Sequence, residues 1–225
     1  MSISRHPSET SGTMDQRILK QITVLSEPEL KDMLEMITDA FGDDDHSLLS
    51  MLGGDLTLRD GMFAAEIRAT LLEGAVYVVE VESQVVALAL WFRKPMILFQ
   101  TDAQRALGFD EWFDKLPEKL QRWWAEDYPQ KSEAYQKTII SQEELDKMWF
   151  CNLMVTRKDQ HNQGHATFVM DQLTAKARAS GEILGICTAN EVNVPKYKAM
   201  GYTERGRLTM GTVIGEVTNV WFVKG

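Results

Sequence analysis

The stretch that decides the fold is residues 148–189, MWFCNLMVTRKDQHNQGHATFVMDQLTAKARASGEILGICTA. It begins with MWFCNLMV and ends with EILGICTA, two apolar runs typical of strands that are buried on both faces. Between them, apolar side chains recur at helical spacing, at Phe168, Val169, Leu173 and Ala177. Gly181 marks the end of this helix. Strand, helix and strand in this order predict a βαβ unit with two parallel strands.

A glycine-containing loop, TRKDQHNQG, joins the first of these strands to the helix. The first N–H groups of a helix lack intrahelical partners and carry a partial positive charge, so they suit an anion such as phosphate. The alternative is an ordinary loop in which Gly164 only supplies backbone freedom. The loop is not a Walker loop, because no Gly-Lys-Ser/Thr follows, and it lacks the first glycine of GxGxxG. Its place between a buried strand and a helix is the context that a phosphate cradle requires.

The remaining segments predict an α/β architecture with a mixed sheet. Upstream we expect a strand in RILKQITVL, a helix that starts at SEPE and stops at Gly42, and a helix in LTLRDGMFAAEIRATLLEG. A hairpin follows, AVYVVEVE and VVALALWFR, joined at SQ and ended by Pro95. Downstream of the βαβ unit we expect a short helix in VPKYKAM and a final strand in VTNVWFV.

Residues 97–146 form a predicted helical insertion between two strands. Four apolar residues recur at helical spacing, namely Trp112, Leu116, Leu120 and Trp123. Pro117 is expected near a helix start and Pro129 after a helix end. Core packing and a lid over a pocket are both possible roles for this aromatic stripe. We expect residues 1–15 to be a flexible lead-in and residues 16–225 to form one domain.

Composition narrows the classes of function. A chain of 225 residues with 44% hydrophobic content can bury the core of a single domain. Its net charge of −9 argues against nonspecific binding to nucleic acid or to an anionic membrane. Without a long apolar run or an apolar signal core, a cytoplasmic protein is expected. Cys151 and Cys187 lie in apolar runs without CxxC spacing, so we expect reduced, buried thiols and no metal site.

Two motifs resemble those of the GNAT family of acetyl-CoA-dependent N-acyltransferases. The family signature Gln/Arg-x-x-Gly-x-Gly/Ala corresponds to residues 161–166, HNQGHA. His161 replaces the usual Gln or Arg, and the connection from Val155 is about one residue longer than the common form. The later family motif corresponds to Asn190, then Tyr197, then the pair at 201–202. The resemblance covers residues 148–203 and is compatible with the order of elements from 17 to 95, but it says nothing about the insertion.

The resemblance implies a GNAT-like fold: a mixed, mostly antiparallel sheet with a parallel βαβ unit that binds acyl-CoA, and flanking helices. It implies transfer of an acetyl group from acetyl-CoA to a primary amine of a small molecule by direct attack on the thioester. A protein or peptide acetyltransferase and a catalytically silent acyl-CoA-binding module remain alternatives.

The resemblance also assigns roles to residues. Backbone N–H groups from Asn162 to Thr167 would hold the pyrophosphate, and the strand edge at 153–155 would pair with the pantetheine arm. Asn190 would lie near the pantetheine, and Tyr197 would protonate the departing thiolate. The implied cofactor contacts are Leu153, Met154, Val155, Asn162, Gln163, Gly164, His165, Ala166, Thr167 and Asn190.

The general base is the part of the site that the sequence does not provide. Many family members carry a Glu on the strand before the cradle, but Trp149 and Phe150 occupy the corresponding places. Acidic or imidazole groups elsewhere are candidates by position, namely Asp43, Asp44, Asp45 and His46, with Glu80 and Glu82 weaker. A solvated acidic loop is the alternative for the first four.

Other reactive side chains receive peripheral roles. Cys151 is disfavoured as an acyl-carrying nucleophile, because it lies in an apolar strand without a local His partner. The loop histidines, His161 and His165, could touch phosphate but are expected to be mostly solvated.

Overall fold

The computed structural model describes residues 17–225, so the predicted lead-in at 1–15 lies outside the described residues. Within these residues, seven strands form one sheet: β1 (Ile18–Ile22), β2 (Ala75–Val81), β3 (Gln84–Arg93), β4 (Met148–Thr156), β5 (Ile183–Thr188), β6 (Thr203–Thr212) and β7 (Gly215–Lys224). Their order is β1-β2-β3-β4-β5-β7-β6, and β4 with β5 is the parallel pair. The other neighbours are antiparallel, which confirms the predicted mixed, mostly antiparallel sheet.

Helices connect and cover these strands. They are α1 (Glu27–Phe41), α2 (His46–Leu52), α3 (Arg59–Glu73), α4 (Asp102–Arg105), α5 (Phe109–Phe113), α6 (Glu118–Arg122), α7 (Tyr128–Ile139), α8 (Gln142–Asp146), α9 (His165–Ala179) and α10 (Val194–Ala199). The predicted start of α1 is confirmed as a capping box, in which Ser26 and Glu29 satisfy each other's backbone N–H groups. Its end at Gly42 is also confirmed.

The two faces of the sheet carry separate cores. On one face, α1, α3 and the helical insertion pack against side chains such as Val78, Leu90 and Leu153. On the other face, α9 and α10 pack against Tyr77, Ala89 and other alternate residues. Because successive residues of a strand point to opposite faces, one central sheet can bury both layers.

The insertion belongs to the first of these cores. Its aromatic stripe is buried, with Trp112 2% and Trp123 5% exposed, which confirms the packing interpretation. Each indole N–H reaches a backbone carbonyl, from Trp112 to Leu58 at 3.0 Å and from Trp123 to Gly211 at 2.9 Å. Pro129 lies in the first turn of α7 rather than after a helix end, because a π-helical segment, Trp123–Asp127, runs directly into α7.

Three local features differ from the sequence prediction. The β2–β3 turn lies at Glu82 and Ser83, with φ of 50° and 68°, rather than at SQ. Short helix α2 was missed because its cap, Asp45, looked like part of an acidic loop. Strand β6 was missed because polar residues and glycines hide its pattern. Gly206 lies at a register shift in β6, and a Cβ there would collide with the Tyr135 hydroxyl on α7.

Within residues 17–225, no helix combines the length and apolar character needed to cross a membrane.

Candidate functional site

The central strands β4 and β5 part in the middle of the sheet. They pair from Met148 opposite Ile183 to Cys151 opposite Ile186 and no further. Beyond that point β4 continues beside β3 alone, whereas β5 continues beside β7. The edge of β4 at residues 153–155 therefore faces a gap instead of a neighbouring strand. An extended ligand can add to such an edge through backbone hydrogen bonds.

A β-bulge in β4 lies where the strands part. In the pairing with β3, Leu90 faces Leu153 and Trp91 faces Cys151, so Asn152 is the extra residue. Asn152 is exposed, although its neighbours Cys151 and Leu153 are only 1% and 7% exposed. An exposed side chain in the middle of a central strand marks an opening in the core at this point.

The loop after β4 presents unpaired backbone N–H groups at the start of α9. Asn162 and Gly164 both have positive φ, 63° and 79°, and Gly164 caps the helix without a side-chain hydrogen bond. Within the described part of the chain, five N–H groups here donate to no backbone acceptor, those of Asn162, Gln163, Gly164, Ala166 and Thr167. Together with the helix dipole, this arrangement suits a phosphate group.

An arginine from the start of the chain reaches this cradle. The Arg17 guanidinium donates to the Gly164 carbonyl at 3.2 Å and lies 4.7 Å from the centre of the Phe168 ring. Its positive charge strengthens the attraction of the cradle for an anion. Arg17 and Gly164 are 147 residues apart, so no local sequence pattern could have identified the contact.

Tyr197 on α10 lies close to the point where the strands part. It is 8% exposed, and its ring packs against Tyr202 and Phe222 at centroid distances of 6.0 and 5.7 Å. Burial raises the pKa of the Tyr197 phenol, and the nearby thiols of Cys151 and Cys187 raise it further. The phenol therefore stays protonated at neutral pH, and its O–H group can donate a hydrogen bond or a proton.

Solved structures of N-acetyltransferases superpose on almost the whole chain. A polyamine N-acetyltransferase from Drosophila melanogaster has a TM-score of 0.59 and 10% identity, over 92% of this chain and 99% of that one. A variant of an agmatine N-acetyltransferase in its apo form has a TM-score of 0.58 and 11% identity, over 93% and 99%. The ribosomal-protein-alanine N-acetyltransferase of Brucella melitensis has a TM-score of 0.51 and 15% identity, over 92% and 98%.

The chain has the GNAT fold. No family model matches it, and no curated protein is similar to it in sequence. At identities of 10 to 15% the likeness concerns the fold, so the activity has to be argued from the site itself.

Two partly exposed ionisable residues were not singled out from the sequence. Glu66 on α3 and Tyr128 at the start of α7 lie close enough for the Glu66 carboxylate to raise the pKa of the Tyr128 phenol, after the larger effects of burial and Cys187. The carboxylate also raises the pKa of the Cys151 thiol, mainly set by burial. The available signal was a charged residue flanked by apolar residues on both sides, in FAAEI.

The acidic segment after α1 has structural contacts. Asp43 pairs with Arg59 at 3.1 Å, and the Asp45 carboxylate caps α2 by accepting from the Leu48 N–H at 2.9 Å. The His46 imidazole lies 2.9 Å from the Glu216 carbonyl oxygen. Asp44 and Asp45 also line an open cleft together with Asn190 and Glu191. Capping and ion pairing therefore account for much of this segment, and the carboxylates of Asp44 and Asp45 border the open cleft.

The Asn190 side chain forms hydrogen bonds beside this acidic segment. Its side chain accepts from the Val192 N–H at 3.1 Å and donates to Asp45 at 3.3 Å. The two weaker candidates for the general base lie on the β2–β3 hairpin. Glu80 forms an ion pair with Lys20, and Glu82 lies in the turn.

The two loop histidines behave differently. His161 is exposed, and its ring lies 2.9 Å from the Thr156 carbonyl oxygen at the end of β4. His165 is only 4% exposed, so the expectation of a solvated side chain was wrong for this residue. It is the first residue of α9, and its side chain is buried there.

Proposed function

We propose that the chain is an acetyl-CoA-dependent N-acetyltransferase that acetylates a primary amine of a small cationic molecule. The observation that carries the proposal is the parting of β4 and β5, with unpaired backbone N–H groups at the start of α9 and a protonated Tyr197 close to the point where the strands part. An extended thioester with a pyrophosphate at one end fits this arrangement. The N-acetyltransferase fold of the neighbours supports the same reading.

The site would hold acetyl-CoA mainly through backbone. The pyrophosphate would accept hydrogen bonds from the N–H groups between Asn162 and Thr167, with Arg17 supplying a charge beside them. The pantetheine would lie along the edge at 153–155 and pair with Leu153, Met154 or Val155 as an added strand. Asn190, which follows β5, would lie near the pantetheine. No metal ion is needed for this mode of binding.

The reaction would be a direct attack of the amine on the thioester carbonyl carbon. A backbone N–H at Leu153 or Met154, beside the bulge, would stabilise the oxyanion that forms. As the C–S bond breaks, the Tyr197 hydroxyl would donate its proton to the departing sulfur. Neither thiol suits a covalent intermediate, because burial raises the pKa of Cys151 and of Cys187 and keeps them protonated.

The negative charge of the cleft beside Asn190 favours a small cationic acceptor. Carboxylates of Asp44, Asp45 and Glu191 line the cleft beside Asn190, and the whole chain has a net charge of −9. The two neighbours with TM-scores of 0.58 and 0.59 are named for agmatine and for polyamines, which are small amines. A protein or peptide acceptor is the alternative, supported by the Brucella enzyme named for a ribosomal protein.

Acetyl-CoA should raise the melting temperature of the protein and release free thiol when an acceptor amine is added. Binding to the folded state alone stabilises it by about 2.7 kcal/mol at a concentration of 100 times Kd. S-Acetylpantetheine, which has no pyrophosphate, is the matched control and should give a much smaller shift. Amines from mono- to polyamines and a peptide with a free N-terminus should be compared in the thiol assay. The absence of any shift at saturating acetyl-CoA would rule out the proposal, and a shift without thiol release would indicate a silent binding module.

The insertion should influence the acceptor more than acetyl-CoA. Trp124 is partly buried, donates to the Met51 carbonyl at 2.9 Å and packs 5.9 Å from Tyr128. We expect Trp124→Phe to raise the KM of the amine several-fold while the Kd of acetyl-CoA stays the same. Trp112→Phe, in the same aromatic cluster but 2% exposed, is the control for a loss of packing alone. Equal losses for both ligands in both variants, in step with melting temperature, would leave the insertion a packing role only.

A further inference from the structure

Asn152 is an exposed polar residue on the central strand of the sheet. β4 is the fourth of the seven strands in order, and the two neighbours of Asn152 along it, Cys151 and Leu153, are buried. Asparagine is depleted in strands, so strand formation does not explain its presence here. Within the described residues, its carboxamide makes no hydrogen bond. The folded chain therefore leaves this polar side chain available to a ligand.

The bulge determines where the side chains around Asn152 point. Cys151 belongs to the core that α9 and α10 cover, whereas Leu153 belongs to the core that α1 and α3 cover. In a regular strand, residues two positions apart point to the same face, so the extra residue at 152 reverses the alternation. Bulges are frequent next to active sites, where they redirect a side chain. Asn152 lies at the point of reversal and reaches solvent.

The opening that exposes Asn152 lies on the side of β4 that β5 leaves. The opposite edge of β4 pairs with β3 from Trp149 to Thr156, and α1 and α9 contact β4 from the two faces of the sheet. The pairing with β5 ends at Cys151, so Asn152 is the first residue of β4 beyond the parallel pair. A pantetheine arm that runs from the start of α9 along the edge at 153–155 would therefore bring its thioester end beside Asn152.

We propose that Asn152 binds the acceptor amine, with its Oδ1 atom accepting a hydrogen bond from the attacking nitrogen. This proposal rests on the proposed function. Where the strands part, the polar side chains of β4 are those of Cys151 and Asn152. The Cys151 thiol is buried and donates to the Leu153 carbonyl at 3.3 Å, so it is already engaged. The carboxamide oxygen of Asn152 is an acceptor with two lone pairs and can hold an amine N–H group.

A neutral oxygen suits the nucleophile at the moment of attack. The amine must lose the proton of its ammonium form before its lone pair is free to react. A carboxamide accepts a hydrogen bond from the neutral amine, whereas a carboxylate stabilises the ammonium form more strongly. Attack also requires the nitrogen to lie about 3 to 3.5 Å from the thioester carbon with its lone pair aligned. Asn152 would orient the nitrogen in this way and would take no proton itself.

The protons balance without a base on β4. The ammonium form releases one proton to water, and the neutral nitrogen uses its lone pair to form the C–N bond with the thioester carbonyl carbon. When the C–S bond breaks, the sulfur takes the Tyr197 proton. One of the two protons on nitrogen then restores the Tyr197 hydroxyl through water, and the other stays in the product. The products are the acetamide, the free thiol and one proton released to solvent.

The test compares Asn152→Leu with Asn152→Asp, two replacements of nearly the same size. Leucine removes both polar atoms, so kcat/KM for the amine should fall about 5- to 100-fold. The loss of one neutral hydrogen bond accounts for about fivefold, and a misplaced nucleophile for the rest. Aspartate keeps an acceptor oxygen and should retain most of the parental kcat/KM. Steady-state thiol release at saturating acetyl-CoA is the measurement.

Affinities give readouts that do not depend on turnover. The Kd of acetyl-CoA should be the same in the parent and in both variants, because backbone groups hold the cofactor. Calorimetric titration of the amine into protein saturated with free CoA should show binding weakened about fivefold in Asn152→Leu and not weakened in Asn152→Asp. Asn193→Leu, in the turn after β5, is the control and should change none of these quantities.

The outcomes separate this proposal from its alternatives. A larger loss in Asn152→Asp than in Asn152→Leu would overturn it, because it would show that the Nδ2 atom donates to the developing oxyanion, which a carboxylate repels. If Asn152→Leu keeps the parental kcat/KM and amine affinity, Asn152 does not bind the acceptor and the acetyltransferase proposal stands. Equal losses for both ligands in both variants, in step with melting temperature, would assign Asn152 a structural role in the bulge. If the parent itself transfers acetyl to no amine, the proposed function fails and the role of Asn152 fails with it.

Discussion

Gly164→Pro should abolish the binding of acetyl-CoA. Gly164 has a φ of 79°, which proline cannot adopt, and proline also removes one N–H group from the cradle. Hydrogen bonds to charged groups contribute about 1.5 to 3 kcal/mol each, so misplacing two of the cradle donors would weaken binding roughly a hundredfold or more. Isothermal titration calorimetry with acetyl-CoA measures this loss directly.

Gly181→Pro is the matched control for Gly164→Pro. Gly181 lies just beyond the other end of α9 with a φ of 69°, and a Cβ there would meet no atom within 4 Å. Both variants should lose stability, but only Gly164→Pro should lose acetyl-CoA. Gly164→Ala adds a milder comparison, since its Cβ would lie 3.5 Å from the Arg17 guanidinium, an ordinary contact. If Gly164→Pro stays folded and binds acetyl-CoA with the affinity of the parent, the loop is not the phosphate site.

Tyr197→Phe should reduce turnover while leaving the affinity for acetyl-CoA and the melting temperature nearly unchanged. The variant keeps the ring contacts with Tyr202 and Phe222 and removes only the hydroxyl. General acids contribute about 10²- to 10⁴-fold, and we expect the low end because a thiolate leaves tolerably without help. Steady-state thiol release at saturating acetyl-CoA is the measurement.

Tyr202→Phe is the control, because this neighbouring buried tyrosine donates to the Met170 sulfur at 3.2 Å, away from the gap. It should lose some stability and little turnover. A Tyr197→Phe enzyme as fast as the parent with every acceptor would leave protonation of the thiolate to water. Stability and rate falling together would instead make Tyr197 a packing residue.

Local patterns were sufficient for the elements that depend on neighbours in sequence. The βαβ unit from 148 to 189 followed from two apolar runs and one helical repeat, and the structure has β4, α9 and β5 there. The start of α1 followed from the short-range capping pattern of Ser26 and Glu29. Strand β6 was not predicted, because few of its side chains are buried. Its Gly206 is explained only by close contact with α7, which is distant in sequence.

In the candidate site, too, some features follow from residues that are close in sequence, and others depend on contacts between distant residues. The sequence by itself determined the cradle loop and the spacing of Asn190 and Tyr197, because each lies within one supersecondary unit. Only the tertiary structure decided where β4 and β5 part, since that depends on the register of β4 against β3 and on the bulge at Asn152. It also brought Arg17 to the cradle, because a contact between residues 147 positions apart cannot be read from adjacent residues.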